Sequence, residues 1–314
     1  MRQLVWAGSL FAAAVVSGQT EADEKAIVVT TFSILADLTQ RVAGDHAQVL
    51  TLVGPNGDAH VFEPGPRESA ELARADLLIA NGLGFEPWLE RLEDASGFKG
   101  KVIAASDGVT PLEGEEEHEG EAHEGEEHEE EAHEEGHHHE GADPHAFQDL
   151  ANAQIYVANI AKGLADVAPD HAADFKANAD KLIAEIAALD QQLKADFAAI
   201  PQEKRRVLTS HDAFHYFGRA YGIEFVSVQG LSTEAEPTAD DLVKVVRQAR
   251  DGHLSAIFLE NMSDPRLAET VAQESGVRMG GELYADALSD PGGPAPDYLS
   301  LIRYNAKQLL AAMQ

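Results

Sequence analysis

The 314 residues contain no cysteine. Disulfides, thiolate metal ligands and a lipid attached through a cysteine are therefore excluded within them, and any metal chemistry falls to histidine and carboxylate. Long apolar runs are also scarce. The one that stands out, Leu4 to Val16 behind the basic start Met1-Arg2, is too short to span a bilayer as an ordinary helix. Small residues follow it, and cleavage after Gly18 or Ala22 suits a secretory signal peptidase, so residues 1–22 read as a signal peptide. Export without disulfides, lipid anchor or membrane insertion points to a free, soluble periplasmic protein. Basic residues are few as well. Lys and Arg total 23 against 55 Asp and Glu, for a net charge of −32. That balance argues against nucleic acid or an anionic membrane as partner and is compatible with cations.

The charge is concentrated. Residues Glu113 to Glu140 hold fifteen Glu, seven His, four Gly and two Ala with no Lys or Arg, and so supply −15 of the total. A segment with no large apolar side chain and dense like charge has nothing to bury, which predicts a disordered loop over 113–141. His118, His123, His128 and His133 recur every five residues. In a helix, successive rings at that spacing step about 140° around the axis instead of stacking. With His137, His138 and His139 they predict a collection of weak, exchangeable metal sites and no preformed chelating face.

On either side of this run the pattern is βα alternation. "AIVVTT" (26–31), "QVLTLV" (48–53), "LLIAN" (77–81) and "KVIAA" (101–105) read as strands. "SILADLTQRVAG", "RESAELARA" and "EPWLERLEDA" read as the helices between them. After the run, residues 149–167 form one predicted helix. A second, Asp170 to Ala199, carries Phe175, Leu182, Ile186, Leu189, Leu193 and Phe197 on one stripe. Such a helix reaches about 45 Å and suits a strut. Beyond Pro201 the alternation restarts with strands at 206–210, 224–228, 255–260 and 277–283 and helices near 212–221, 239–251, 265–275 and 296–312. The expected fold is α/β: two lobes with mostly parallel sheets, 23–168 and 201–314, joined by one long helix over 169–200.

Seven histidines lie outside the acidic run. His60 in "GPNGDAHVFEP", His145 in "ADPHAF" and His211 in "LTSHDAF" sit in turns or at strand ends, where βα sheets place ligands. His46, His171 and His253 lie among polar residues and read as surface positions. His215 makes His-x-x-x-His with His211. That spacing shares one helical face and can chelate, unless His211 stands ahead of the helix and points elsewhere.

Six motifs occur in order across nearly the whole chain: "GDAHVFEPGPRE", "ADLLIANGLGFEPWLERL", "DPHAFQD", "VLTSHDAFHYFGRAYGI", "STEAEPTADDL" and "GELYADALSD". Together they resemble the metal-binding solute-binding proteins of bacterial ABC transporters, the cluster with a rigid interlobe helix, and within it the zinc-specific ZnuA-like branch, which often carries a His- and acid-rich loop here. The resemblance implies a metal cleft between the lobes, lined by His60 and His145 from the first lobe and His211 from the second. It implies Asp286 as the fourth ligand, with Glu282 and Asp290 as nearby competitors. It implies capture of Zn2+ by a monomer and delivery to a membrane permease. Phe147, where the family commonly has tryptophan, and His215, often a smaller residue, depart from the pattern.

Three neutral imidazoles and one carboxylate suit tetrahedral Zn2+, whereas a second carboxylate in place of an imidazole suits Mn2+. Glu63 in "HVFEP" reads either as an acceptor that orients His60 from behind or as a surface glutamate in a turn. Two other roles stay in view: a carrier of manganese or another divalent metal, and a periplasmic metal buffer working mainly through the His-rich loop. A zinc hydrolase would need an open coordination position and a general base. The chain has no His-Glu-x-x-His, and four protein ligands would close the site, so no enzyme is expected. Neutral imidazoles predict that affinity falls below about pH 6.5.

Overall fold

The computed structural model describes residues 25–113, 141–234 and 238–314. The predicted signal peptide, residues 1–22, and the seven histidines of the predicted loop, His118 to His139, lie outside the described residues. In the first lobe, strands β1 (Ala26–Phe32), β2 (Ala47–Val53), β3 (Leu77–Ala80) and β4 (Lys101–Ala104) form one sheet in the order β2-β1-β3-β4. In the second, β5 (Arg206–Thr209), β6 (Glu224–Ser227), β7 (Ala256–Glu260) and β8 (Met279–Leu283) repeat that order as β6-β5-β7-β8. Every strand pairing is parallel. The composition explains why. In β1, "AIVVTTF", five of seven residues are β-branched, and its last five are buried. Helices covering both faces of a parallel sheet demand such a strand.

Helices α1 (Ser33–Ala43), α2 (Pro66–Ala73) and α3 (Leu89–Ser96) connect the first sheet. Helices α4 (Leu150–Val167) and α5 (Ala172–Ala198) form the hairpin that leads to the second lobe. There α6 (His215–Tyr221), α7 (Ala239–Asp251), α8 (Pro265–Ser275) and α9 (Tyr298–Met313) complete the fold. The long helix α5 has 27 residues, about 40 Å. It starts at Ala172 instead of the predicted Asp170 because Pro169–His171 forms a separate 3-10 turn. Phe175, Leu182, Ile186, Leu189, Leu193 and Phe197 are all buried, and burial of each such side chain contributes roughly 2 kcal/mol.

The two lobes share a core. One apolar cluster runs from Val28 in β1 through Phe197 in α5 to Met313 in α9, and a smaller one lies between the second sheet and α7 and α8. Direct hydrogen bonds cross the seam: Tyr298 Oη donates to the Phe147 carbonyl (2.5 Å), Gln148 Nε2 to the Ala285 carbonyl (2.6 Å) and Tyr216 Oη to the Asp143 carbonyl (2.9 Å). The Tyr298 N–H donates to Asp37 (3.0 Å), whose carboxyl burial lifts to a pKa of about 6. A seam bonded this way resists a wide hinge opening.

Two predicted helices start late, each for a local reason. Residues 211–214 lie ahead of α6: the Gly218 N–H bonds back to the Phe214 carbonyl (2.7 Å), whereas the His211 carbonyl accepts from Thr209 Oγ1 (3.1 Å). The Glu260 carboxylate accepts the His211 N–H (2.9 Å), and the Asp212 N–H donates to the Gly230 carbonyl (3.1 Å). Helix α3 begins at Leu89 because Glu86 turns inward to accept hydrogen bonds from Thr31 Oγ1 (2.6 Å) and the Asn81 N–H (2.7 Å).

Candidate metal centre

The carboxyl ends of the strands in both sheets face a common cleft, the place where open α/β sheets bind ligands. Four buried side chains meet there. His60 comes from the loop after β2, His145 from the turn before α4, His211 from the loop after β5 and Asp286 from the segment after β8. Their ligand atoms all lie within 4.8 Å of one another. His60 Nε2 is 3.2 Å from His145 Nε2 and 3.3 Å from Asp286 Oδ2. The same oxygen is 3.6 Å from His145 Nε2 and 3.0 Å from His211 Nε2. The other Asp286 oxygen, Oδ1, is buried without a hydrogen-bond partner.

Two carboxylates stand behind the rings. Asp143 Oδ1 accepts both the backbone N–H (2.9 Å) and the ring Nδ1–H (2.8 Å) of His145. Glu260 does the same for His211, with one oxygen on the backbone N–H and the other on ring Nδ1. Holding the proton on Nδ1 turns the Nε2 lone pair of each ring into the cleft, the usual arrangement behind a ligating imidazole. Asn81 steadies the His145 turn by donating from Nδ2 to the Pro144 carbonyl (2.8 Å). Glu63 is exposed. Asp58 meets His60 instead, accepting its backbone N–H at 2.9 Å, while Thr233 of the second lobe donates to the other Asp58 oxygen at 2.6 Å.

The rings sit on aromatic side chains. Phe85 is fully buried with its centroid 4.6 Å from that of His60 and 5.8 Å from that of His145, both edge-on. Phe32 and Phe147 back it at 4.8 and 5.7 Å. This seat fixes ring orientation while presenting no competing polar group.

Electrostatics follow from the enclosure. Burial opposes a charged His145, but the Asp286 charge and the Asp143 hydrogen bond outweigh it and raise its pKa to about 9. His211 is raised in the same way against its burial, by Glu260 and Asp286. Burial would raise Asp286, yet the charges of His145 and His211 hold it well below the usual carboxylate range. Burial keeps His60 below its ordinary value.

Glu282 and Asp290, the other acidic candidates, stay outside this group: Glu282 lies on β8, and Asp290 is exposed with Asn56 Nδ2 3.3 Å away. His215 opens α6 and does not chelate with His211. Its ring lies 2.9 Å from Asp212 Oδ1 and 3.5 Å from Asp143 Oδ2, and hydrogen bonding to those two carboxylates raises its pKa to about 10. His253 is exposed in a left-handed turn. His46 and His171 pair with Asp174, far from the cleft. Glu260, Asp143 and Phe85 were not singled out in the sequence. Of these, only Asp143 had a local signal, since Asp two residues before a histidine in a proline turn is the pattern of an Asx turn.

Residues 28–312 match the family described as zinc-uptake complex component A, periplasmic, or ZnuA. The chain belongs to this family. Its relatives include the iron-binding protein YfeA of Yersinia pestis, 33% identical over 88% of this chain and 82% of that protein. The manganese-binding lipoprotein MntA of Halalkalibacterium halodurans is 30% identical over 95% of this chain and 91% of that protein. Among solved structures, the periplasmic zinc-binding protein TroA of Treponema pallidum superposes with a TM-score of 0.81 at 26% identity, over 92% of this chain and 99% of that one. The manganese-bound periplasmic metal-binding protein of Candidatus Liberibacter asiaticus gives 0.78 at 28% identity, over 92% and 100%. A ZnuA-family chain is the extracytoplasmic, divalent-metal-binding component of an ABC importer that works with a membrane permease, and not an enzyme. No described helix is long and apolar enough to cross a membrane.

Proposed function

We propose that this protein captures Zn2+ in the interlobe cleft through His60, His145, His211 and Asp286 and releases it to the permease. The convergence of one oxygen and three imidazole nitrogens carries the reading. A tetrahedral Zn2+ with bonds near 2.0–2.1 Å spaces its ligand atoms about 3.3 Å apart. Four of the six separations between ligand atoms, at 3.0 to 3.6 Å, bracket that value, and all six are within 4.8 Å. The N3O donor set, with Asp143 and Glu260 fixing two tautomers, favours zinc over manganese in affinity. A second reading rests on the free Asp286 Oδ1. Bidentate binding there would give five ligand atoms and more oxygen character, which suits the harder ions named for MntA and YfeA. Competition between Zn2+ and Mn2+ in one titration separates the two readings.

The His-rich loop supplies auxiliary, weaker zinc at His118, His123, His128, His133, His137, His138 and His139, and its tethering raises the local metal concentration near the cleft. Deleting 114–140 is expected to leave one tight equivalent with unchanged affinity and to remove only the weaker ones. Loss of the tight equivalent in calorimetry would make the loop the main device, a metal buffer. Some relatives are named lipoproteins. The lack of a cysteine in these 314 residues supports a form free in the periplasm, which recovery in the membrane fraction after osmotic shock would refute.

The raised histidines move the pH window. With a pKa of about 9, His145 is protonated at pH 7 in the metal-free protein, and a metal must displace that proton. Affinity is therefore expected to climb steadily from pH 6 to about 9, beyond the 6.5 at which ordinary imidazoles would level off. Calorimetry in buffers of different ionisation heat should show proton release at pH 7.5. No release, with a flat affinity from pH 7 to 9, would contradict the arrangement of Asp286 and Asp143 around this ring.

A further inference from the structure

A second histidine pair lies at the opposite end of the first lobe. His46 precedes β2 and His171 closes the turn between α4 and α5, both at the amino ends of the strands. The seven residues of β2 separate His46 from the loop that carries His60, a distance of about 20 Å. The two imidazoles are stacked with centroids 4.0 Å apart. Both turn a nitrogen to the same oxygen: Asp174 Oδ2 is 3.3 Å from His46 Nε2 and 3.9 Å from His171 Nδ1. Fully buried Phe175 meets both rings edge-on, at 6.1 and 6.2 Å. The pair borders a depression of about 470 Å³ that also exposes Asp45 and Asp170, with Lys25 across it.

Two features distinguish this from an ordinary surface ion pair. The rings come from segments distant in sequence and yet share one apolar seat, so their orientation does not depend on the carboxylate. One nitrogen of each ring also faces the same carboxylate oxygen, and the three ligand atoms lie within 4.8 Å of one another. A dication held by these two nitrogens and the Asp174 oxygen would draw the three atoms in, with water completing its shell. Two imidazoles and a carboxylate suit borderline transition ions, Zn2+, Cu2+ or Ni2+, and not Mg2+ or Ca2+. The side chains of His46 and His171 are 35% and 31% exposed and that of Asp174 58%, so the site is open and its metal exchanges freely.

We infer that His46, His171 and Asp174 form a second, exchangeable site for a divalent transition ion, at the end of the first lobe remote from the cleft. The test uses the full chain labelled with 15N-histidine, its cleft first filled with one equivalent of Zn2+, and then titrated with further Zn2+. The ring nitrogens of His46 and His171, assigned with His46→Asn and His171→Asn, are expected to shift together with one midpoint. His171→Asn and Asp174→Asn should each weaken the His46 response at least about tenfold, the lower end of what losing even an outer partner of a ligand costs. Cleft affinity in the same variants should stay within about twofold, which also reports an intact fold. Different midpoints for the two rings, or a His46 response that survives His171→Asn unchanged, would reduce the cluster to a salt bridge and overturn the assignment.

Discussion

His211→Ala is expected to weaken Zn2+ binding in the cleft by a hundredfold or more. Four-ligand structural zinc sites bind with roughly 10–16 kcal/mol, so one ligand of four is worth about 3 kcal/mol, and each 1.4 kcal/mol is a factor of ten. The replacement also leaves Glu260 buried without the ring it holds, which costs the metal-free protein stability. The measurement is a competition titration against a chelator of known affinity, beside circular dichroism to confirm folding. Full tight binding in a folded variant would remove His211 from the site and with it the cleft mechanism. Residual binding of several weak equivalents is expected, because the loop histidines are untouched.

The strands and helices were legible because the burial that stabilises them leaves a period in the sequence. β-branched runs such as "AIVVTTF" and the stripe from Phe175 to Phe197 carry their own signal. His60, His145 and His211 were visible as histidines in turns at strand ends. Asp286 was not: three acids crowd that segment, and resemblance alone favoured it. The structure brings Asp286 to the three rings because the chain after β8 turns back into the cleft, a long-range event with no local trace. Glu260 shows the same limit. In sequence it closes a β-strand; in space it holds His211 by backbone and ring together. His46 and His171 read as surface positions from their sequence neighbours, and their common partners Asp174 and Phe175 are legible only in space. The His211/His215 spacing left two arrangements open, a shared helical face or a His211 ahead of the helix, and the structure has the second. Helix α6 starts only at His215, and the Glu260 carboxylate holds His211 ahead of it by backbone N–H and ring together.

Phe85→Ala is the other substitution expected to have a large effect, and it acts on two quantities at once. The ring is fully buried against Phe32, Phe147, His60 and His145. Truncating a buried phenylalanine costs about 3–5 kcal/mol, a large share of the 5–15 kcal/mol typical of a folded protein. The unfolding midpoint should fall by about 10 °C. It must be measured without metal, since bound Zn2+ adds stability of its own and would mask the loss. Affinity should fall about ten- to hundredfold, as when an outer partner of a ligand is removed. The physical reason is that two of four donors, His60 and His145, lose the surface that orients them and must be ordered by the ion. Phe85→Leu separates the two effects. It refills most of the volume and should recover most of the midpoint. It lacks the flat ring that both imidazoles meet edge-on, and should recover less of the affinity. If Phe85→Ala lowers the midpoint yet binds Zn2+ as tightly as the parent, the two histidines are held by Asp143 and Asp58 alone, and the aromatic seat serves only the core.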